Sequence, residues 1–260
     1  MSETGWRVAF LGLLLLLLQP LASVQAQDTL PPRLFLPLIA TSARCPSATG
    51  ESYAAITVEP PPTDRPAAEH ADLNLALRSY APASGFLGLV DYGGATDPLA
   101  PQLYGLFSDE RTGVFTALHR VYDWNWACNC RGDLLAYPPV TLADLATAPG
   151  EMIRVPDSGY TIGSGYEVLV LYATPERITL KYTRNDNVIH GFTLHLEDVC
   201  VDLDLVMLYQ ATDAAGRDRL PALRAGQAFA RAAGPAIGVA IRDSGTFMDP
   251  RSRKDWWRGR

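Results

Sequence analysis

In the second half of the chain, apolar positions come in short runs broken by turn residues. "YEVLVLYA" (166–173), "RITLKYT" (177–183) and "GFTLHLEDVCV" (191–201) are rich in β-branched and aromatic residues, and "GSG", "TPE" and "RNDN" separate the runs. A spacing of this kind with no long helical period predicts strands of a compact β-sheet or barrel. One stretch departs from it: "LDLVMLYQATDAA" (203–215) predicts a helix that stops at Gly216, a residue free to leave the right-handed helical region. Upstream, "HADLNLALRSY" sets Leu73, Leu75 and Leu77 against polar neighbours, which fits a strand best and a short helix second.

The N-terminal part has a different grammar. An unbroken apolar run from Val8 to Leu18 follows Arg7 and ends at a Gln-Pro break, with small residues at Val24 and Ala26. The run is too short to span a bilayer comfortably, and the pattern predicts a secretory signal peptide over residues 1–26, cleaved after Ala26. Residues 27–68 are rich in proline and small residues and are expected to form an extended lead or linker. The expected order is then a small accessory region (69–111), a β domain (112–250) and a basic, tryptophan-bearing tail (251–260). No second apolar run approaches membrane length, so the mature chain is expected outside the cytoplasm, with no membrane partner after signal cleavage.

Charge and cysteine content narrow the classes further. A formal net charge of −6 argues against a nucleic-acid partner, which would need a basic face. Cys45, Cys128, Cys130 and Cys200 make an even count in a chain read as exported, so disulfides are the expectation. Bridging Cys128 to Cys130 would close a very tight ring, so one of that pair is expected to join Cys200 and the other Cys45. Zinc thiolates are the rival use of "CNC", but a second close pair is missing.

Candidate chemistry centres on "TALHRVYDWNW" (116–126), which places His119 and Asp123 four residues apart. The two side chains would share a face on a strand or a helix, as two metal ligands must. A catalytic zinc needs about three protein ligands and an open position for water, so His195 or His190 would have to complete the set. The alternative is a hydrogen-bonded His119 and Asp123 that buttress the sheet. His195 alternates with Leu194 and Leu196, which suits a proton carrier or a half-buried structural histidine. Trp124 and Trp126 could stack on a sugar or peptide, though packing is the commoner use of such a pair. "RGD" at 131–133 is a frequent chance tripeptide, and the tail "RSRKDWWRGR" suits either docking of its tryptophans or contact with anionic polymers.

Four further pieces fall in order along residues 116–250: "HRVYD", "GEMIRVPDSGYTIGSGYEVLVLY", "RAGQAFARAAG" and "GPAIGVAIRDSGTFMDP". Together they resemble the lysostaphin-type zinc endopeptidases, secreted enzymes that cut the peptide cross-links of bacterial cell walls. The resemblance implies an all-β, lysostaphin-like barrel or sandwich in which His119 and Asp123 stand at the zinc-ligand positions. It also implies a defect. The family's H-x-H pair, a zinc ligand and a catalytic histidine, falls on Ala236 and Gly238, which can neither bind metal nor move a proton. The remaining Y-x-H-L motif has two registers: "TLHL", which keeps His195 and puts Thr193 at the tyrosine position, or "YTRN", which keeps Tyr182 and puts Arg184 at the histidine position. The first is preferred because an acidic turn follows His195. The resulting expectation is a secreted, catalytically degenerate module that binds peptidoglycan or another envelope polymer and carries no cofactor. The alternative is an active zinc peptidase with a rearranged site built on His119, Asp123 and His195.

Overall fold

The computed structural model describes residues 46–260. The expected signal peptide, the first part of the lead and Cys45 lie outside the described residues. The strands, in chain order, are β1 (Ala54–Thr57), β2 (Tyr80–Pro82), β3 (Phe115–Asn125), β4 (Cys130–Leu134), β5 (Leu142–Ala146), β6 (Met152–Arg154) and β7 (Val168–Thr174). They continue with β8 (Arg177–Lys181), β9 (Phe192–Glu197), β10 (Val199–Val201), β11 (Arg219–Leu223), β12 (Ala228–Ala232), β13 (Ala236–Asp243) and β14 (Thr246–Met248). Helices are α1 (Leu75–Arg78), α2 (Leu203–Ala214) and α3 (Arg253–Trp256).

The fold is all-β, as the run spacing predicts. Eleven strands form one antiparallel sheet in the order β1-β11-β7-β8-β9-β13-β5-β3-β2, with β14 on β13 and β4 on β3, and a small sheet runs β10-β12-β6. The large sheet does not close on itself. β1 and β2 are its edges, so the expected barrel is corrected to an open sheet with a second, smaller one. Among the described residues no helix is long and apolar enough to cross a membrane.

Several local expectations change for identifiable reasons. "GFTLHLEDVCV" is two strands, not one: Asp198 adopts φ 58°, which breaks the pleat and sends β9 into the large sheet and β10 into the small one. "HADLNLALRSY" is not a strand but a turn and the one-turn helix α1 before β2, because Leu73 and Leu75 both find buried contacts from a coiled backbone. The later part of the proline-rich lead is not a free linker, since β1 pairs with β11 from Ala54↔Ala222 to Thr57↔Arg219. The helix after Asp202 forms where the sequence predicts it. The Asp202 carboxylate accepts from the Asp204 amide at 3.0 Å, capping the first turn, and also takes the Thr49 amide at 2.8 Å. Gly216, at φ 102°, ends it.

Strand alternation divides the central strands into two unlike faces. Ile178 and Leu180 of β8, Leu194 and Leu196 of β9, Ile237, Val239 and Ile241 of β13 and Leu145 of β5 join the main core. Trp256 and Trp257 close that core from the C-terminal tail: Trp256 meets Phe192 edge-on at 5.6 Å and Trp257 meets Phe115 at 5.9 Å. The tail's tryptophans therefore dock on the sheet. The other face carries polar side chains, and it positions the candidate site.

Candidate functional site

Register places the polar face in rows. One row runs Arg177, Glu197, Gly238, Asp144 and Ala117 across β8, β9, β13, β5 and β3. The next runs Thr179, His195 and Ala240, and the third Lys181, Thr193 and Arg242. Directly paired residues of antiparallel strands point to the same side, so these side chains share one surface.

His119 lies on this surface, but its partner is not Asp123. His119 Nε2 and Asp144 Oδ2 are 3.1 Å apart, and the His119 ring meets Tyr80 edge-on at 5.0 Å. Both expected ligands belong to the single strand β3, where four residues span roughly 13 Å, too far for one ion. Buried Val121 stands between them, and Asp123 is exposed, its carboxylate 3.5 Å from Arg78 Nη1. The even spacing does set both on one side; it does not bring them together.

Around His119 the charges are mostly acidic. Glu197 is buried and paired with Arg177 Nε at 2.9 Å. Burial pushes the Glu197 carboxyl up, with Arg177 pulling it back only in part. Burial, with the Asp144 charge adding to it, also raises the Asp198 carboxyl. The Tyr80 hydroxyl is pushed up to about 12, first by burial and then by Asp198. His119 Nε2 faces Asp144 and Glu197 holds Arg177, Ala236 and Gly238 bring no donor, and His119 Nδ1 is buried without a hydrogen-bond partner. Among the described residues no group of three His, Cys, Asp or Glu side chains is placed to hold a metal.

His195 is sealed in the middle row, 1% exposed. Its Nδ1 is 3.0 Å from Thr179 Oγ1, its ring stacks on Phe247 at 6.1 Å, and its Nε2 has no hydrogen-bond partner. Burial, then the Arg242 charge, lowers its pKa to about 3. The imidazole is thus neutral and shut away from solvent, which no substrate proton could reach in this conformation.

The cover over this face is the segment His70–Pro82 together with Phe247. Asp72 Oδ1 accepts from Arg78 Nη2 and Arg242 Nη1, each at 2.7 Å, and Arg78 Nε donates to the Ala71 carbonyl at 3.0 Å. Phe247 lies under both guanidinium groups, at 5.6 Å from Arg78 and 4.5 Å from Arg242. Leu75, Val121, Leu142, Ala240 and Phe247 form a small second core there. Lys181 is fully buried, and its Nζ donates to the His190 and Gly191 carbonyls. Burial, helped by Arg242, lowers the Lys181 pKa to about 7.

Tyr182 and Arg184, the residues of the other Y-x-H-L register, line a separate cleft of about 580 Å3 with Tyr160, Asp97, Asn185 and Asp243. The Tyr160 hydroxyl donates to Asp97 at 2.6 Å, and its ring is 41% exposed. Trp124 and Trp126 are edge-on neighbours at 6.4 Å near the end of the β3–β4 hairpin, and the "RGD" residues lie in β4.

The cysteine pairing differs from the expected one: Cys128 is bonded to Cys130, and Cys200 is also disulfide-bonded. The tight ring forms because Asn129 adopts φ 50°, which folds the two sulfurs back together. Sequence reasoning missed Asp144, Glu197, Asp72 and Arg242 as parts of the polar face. Asp144 did leave a signal, being the one charge in "LADLA", whereas Asp72 shows its partners only in three dimensions. No family model, curated protein or solved structure matches the chain.

Proposed function

We propose that this chain is a non-catalytic binding module of the bacterial envelope, a degenerate relative of the lysostaphin-type endopeptidases that acts outside the cytoplasm. One observation carries this reading. Gly238, at a position where the resemblance calls for a catalytic-site histidine, lies directly between Asp144 and Glu197 and next to the row of His195. The polar surface where hydrolysis would occur is closed by the chain's own segment His70–Pro82, held by the Thr179 hydroxyl on the Leu73 carbonyl. A surface that has lost two imidazoles and is covered by its own chain supports binding elsewhere, not bond cleavage.

The cleft between Tyr160, Asp97, Asn185 and Asp243 is the surface that suits an envelope polymer. An exposed phenol ring beside carboxylates and an amide is the combination that holds a sugar or a short peptide by stacking and hydrogen bonds. Sedimentation of the purified protein with isolated peptidoglycan tests this, together with a zinc assay and a search for released peptide. The expected result is co-sedimentation that Tyr160→Ala weakens, without chelator-sensitive cleavage. Chelator-sensitive release of peptides would overturn the non-catalytic reading in favour of a rearranged zinc site, and no co-sedimentation would remove the polymer.

A further inference from the structure

We propose that the Cys128–Cys130 disulfide, beside the turn of the β3–β4 hairpin, is a thiol–disulfide exchange site that passes its disulfide to a pair of cysteines on a peptide or unfolded protein. The bond is poorly suited to a structural role. It joins residues only two apart, and a disulfide stabilises mainly by closing a long loop of the unfolded chain. The hairpin ends are already held without it, since Asn125 pairs with Cys130 and Trp124 with Arg131.

Access and surroundings favour exchange. Both cysteines are exposed, whereas the disulfide-bonded Cys200 is fully buried. Asn129, between the sulfurs, is pinned by Arg65 Nη1 at 2.7 Å and by Trp124 Nε1 at 3.2 Å, so the loop keeps the two sulfurs close after the bond opens. Arg131, directly after Cys130, supplies positive charge, which stabilises a departing thiolate, whereas the Arg65 charge is taken up by Asp64 at 2.9 Å. Beside the loop, Trp126 (44% exposed) and Ile189 (61% exposed) line a cleft of about 410 Å3 that gives an apolar substrate side chain a place to rest.

The step balances without another oxidant. A substrate thiolate attacks one sulfur of the pair, a mixed disulfide forms, and the other sulfur leaves as a thiolate. The second substrate thiolate then attacks the substrate's own sulfur in that mixed disulfide and releases the remaining cysteine. Two electrons and two protons pass to Cys128 and Cys130, and one disulfide appears in the substrate for each chain.

The test uses the oxidised full chain and a reduced synthetic peptide that carries two cysteines and an apolar residue. The peptide should be oxidised about tenfold faster than by oxidised glutathione at the same concentration, with one equivalent formed per chain. Alkylation and mass spectrometry should then find Cys128 and Cys130 reduced while Cys200 stays oxidised. Cys130→Ser, which leaves Cys128 a lone thiol with no disulfide to donate, should abolish transfer, as should the double change Cys128→Ser with Cys130→Ser. Oxidation no faster than with glutathione, or a Cys128–Cys130 bond that outlasts the disulfide of Cys200, would overturn the proposal whatever the variants do.

Discussion

The Thr179 hydroxyl donates to the Leu73 carbonyl at 2.7 Å, across the boundary between strand β8 and the segment that covers it. Its proton committed there, the same oxygen accepts from His195 Nδ1 at 3.0 Å, which fixes the imidazole as the Nδ1–H tautomer with a bare Nε2. The hydroxyl thus ties the cover to the sheet and orients the buried histidine at once. Thr179→Val keeps the shape but leaves a buried carbonyl and a buried N–H unpaired, so it should destabilise the fold by roughly 1–3 kcal/mol. Thr179→Ser should lose far less, and urea unfolding of both variants checks the contrast.

His195 also gives the protein a pH dependence whose sign follows from its lowered pKa of about 3. An unfolded histidine takes up a proton below about pH 6.5, whereas the folded one stays neutral, so the unfolded state binds more protons and stability falls as the pH drops from 6.5 towards 3. Above that window His195 contributes no slope. His195→Gln should flatten the dependence, removing a loss on the order of 2 kcal/mol between about pH 7.5 and about pH 5. Equal slopes in the two proteins would count against the buried neutral imidazole.

Asp72 holds two buried guanidinium groups with one oxygen. Burial pushes its carboxyl up, but Arg242 and Arg78 outweigh that and hold it below the usual aspartate range. Its stabilising contribution is therefore present above about pH 4 and is lost as the pH falls through the lower folded value. Asp72→Ala leaves Arg242 without its carboxylate and Arg78 with only Asp123 at 3.5 Å, and should cost about 3–5 kcal/mol near neutral pH, whereas Asp72→Asn, which keeps an acceptor, should cost less. Thermal unfolding and a limited proteolysis comparison of residues 70–82 measure it.

The double change Ala236→His with Gly238→His tests whether the β13 positions face a latent metal site. A side chain at Gly238 would start 3.2 Å from Glu197 Cβ and 3.5 Å from Asp144 Oδ1, so it fits with a small shift and arrives beside His119's partner. Zinc affinity should rise at least about tenfold over the natural chain in isothermal titration. Peptide hydrolysis need not appear, because the His70–Pro82 cover remains. Unchanged zinc binding by a folded double variant would argue against the register of the resemblance.

Much of the strand content was legible because a half-buried sheet needs alternation, and alternation is written in residue order: Ile178, Leu180, Leu194 and Leu196 point inward, while Thr179, Thr193 and His195 do not. The helix from Leu203 to Ala214 was equally plain, since its cap at Asp202 and its stop at Gly216 are local events. The candidate site was less legible. His119 and Asp123 look like a pair in sequence because any even spacing puts two residues on one side, but distance along a strand grows by about 3.3 Å per residue. The residue that meets His119 is Asp144, two strands' worth of chain away, and only the β3–β5 register brings it there.

By itself, then, residue order determined the all-β class, the inward positions of the central strands, the α2 helix and the absence of donors at Ala236 and Gly238. Tertiary structure decided that the sheet stays open, that the His70–Pro82 segment covers the polar face, that Cys128 bonds Cys130, and that Trp256 and Trp257 finish the core. The physical reason is the range of the forces involved. Periodicity, caps and missing ligands act within a few residues, whereas covering a face, sharing Asp72 between Arg78 and Arg242, or filling a core with a distant tail depends on which remote segments lose the least conformational entropy in meeting.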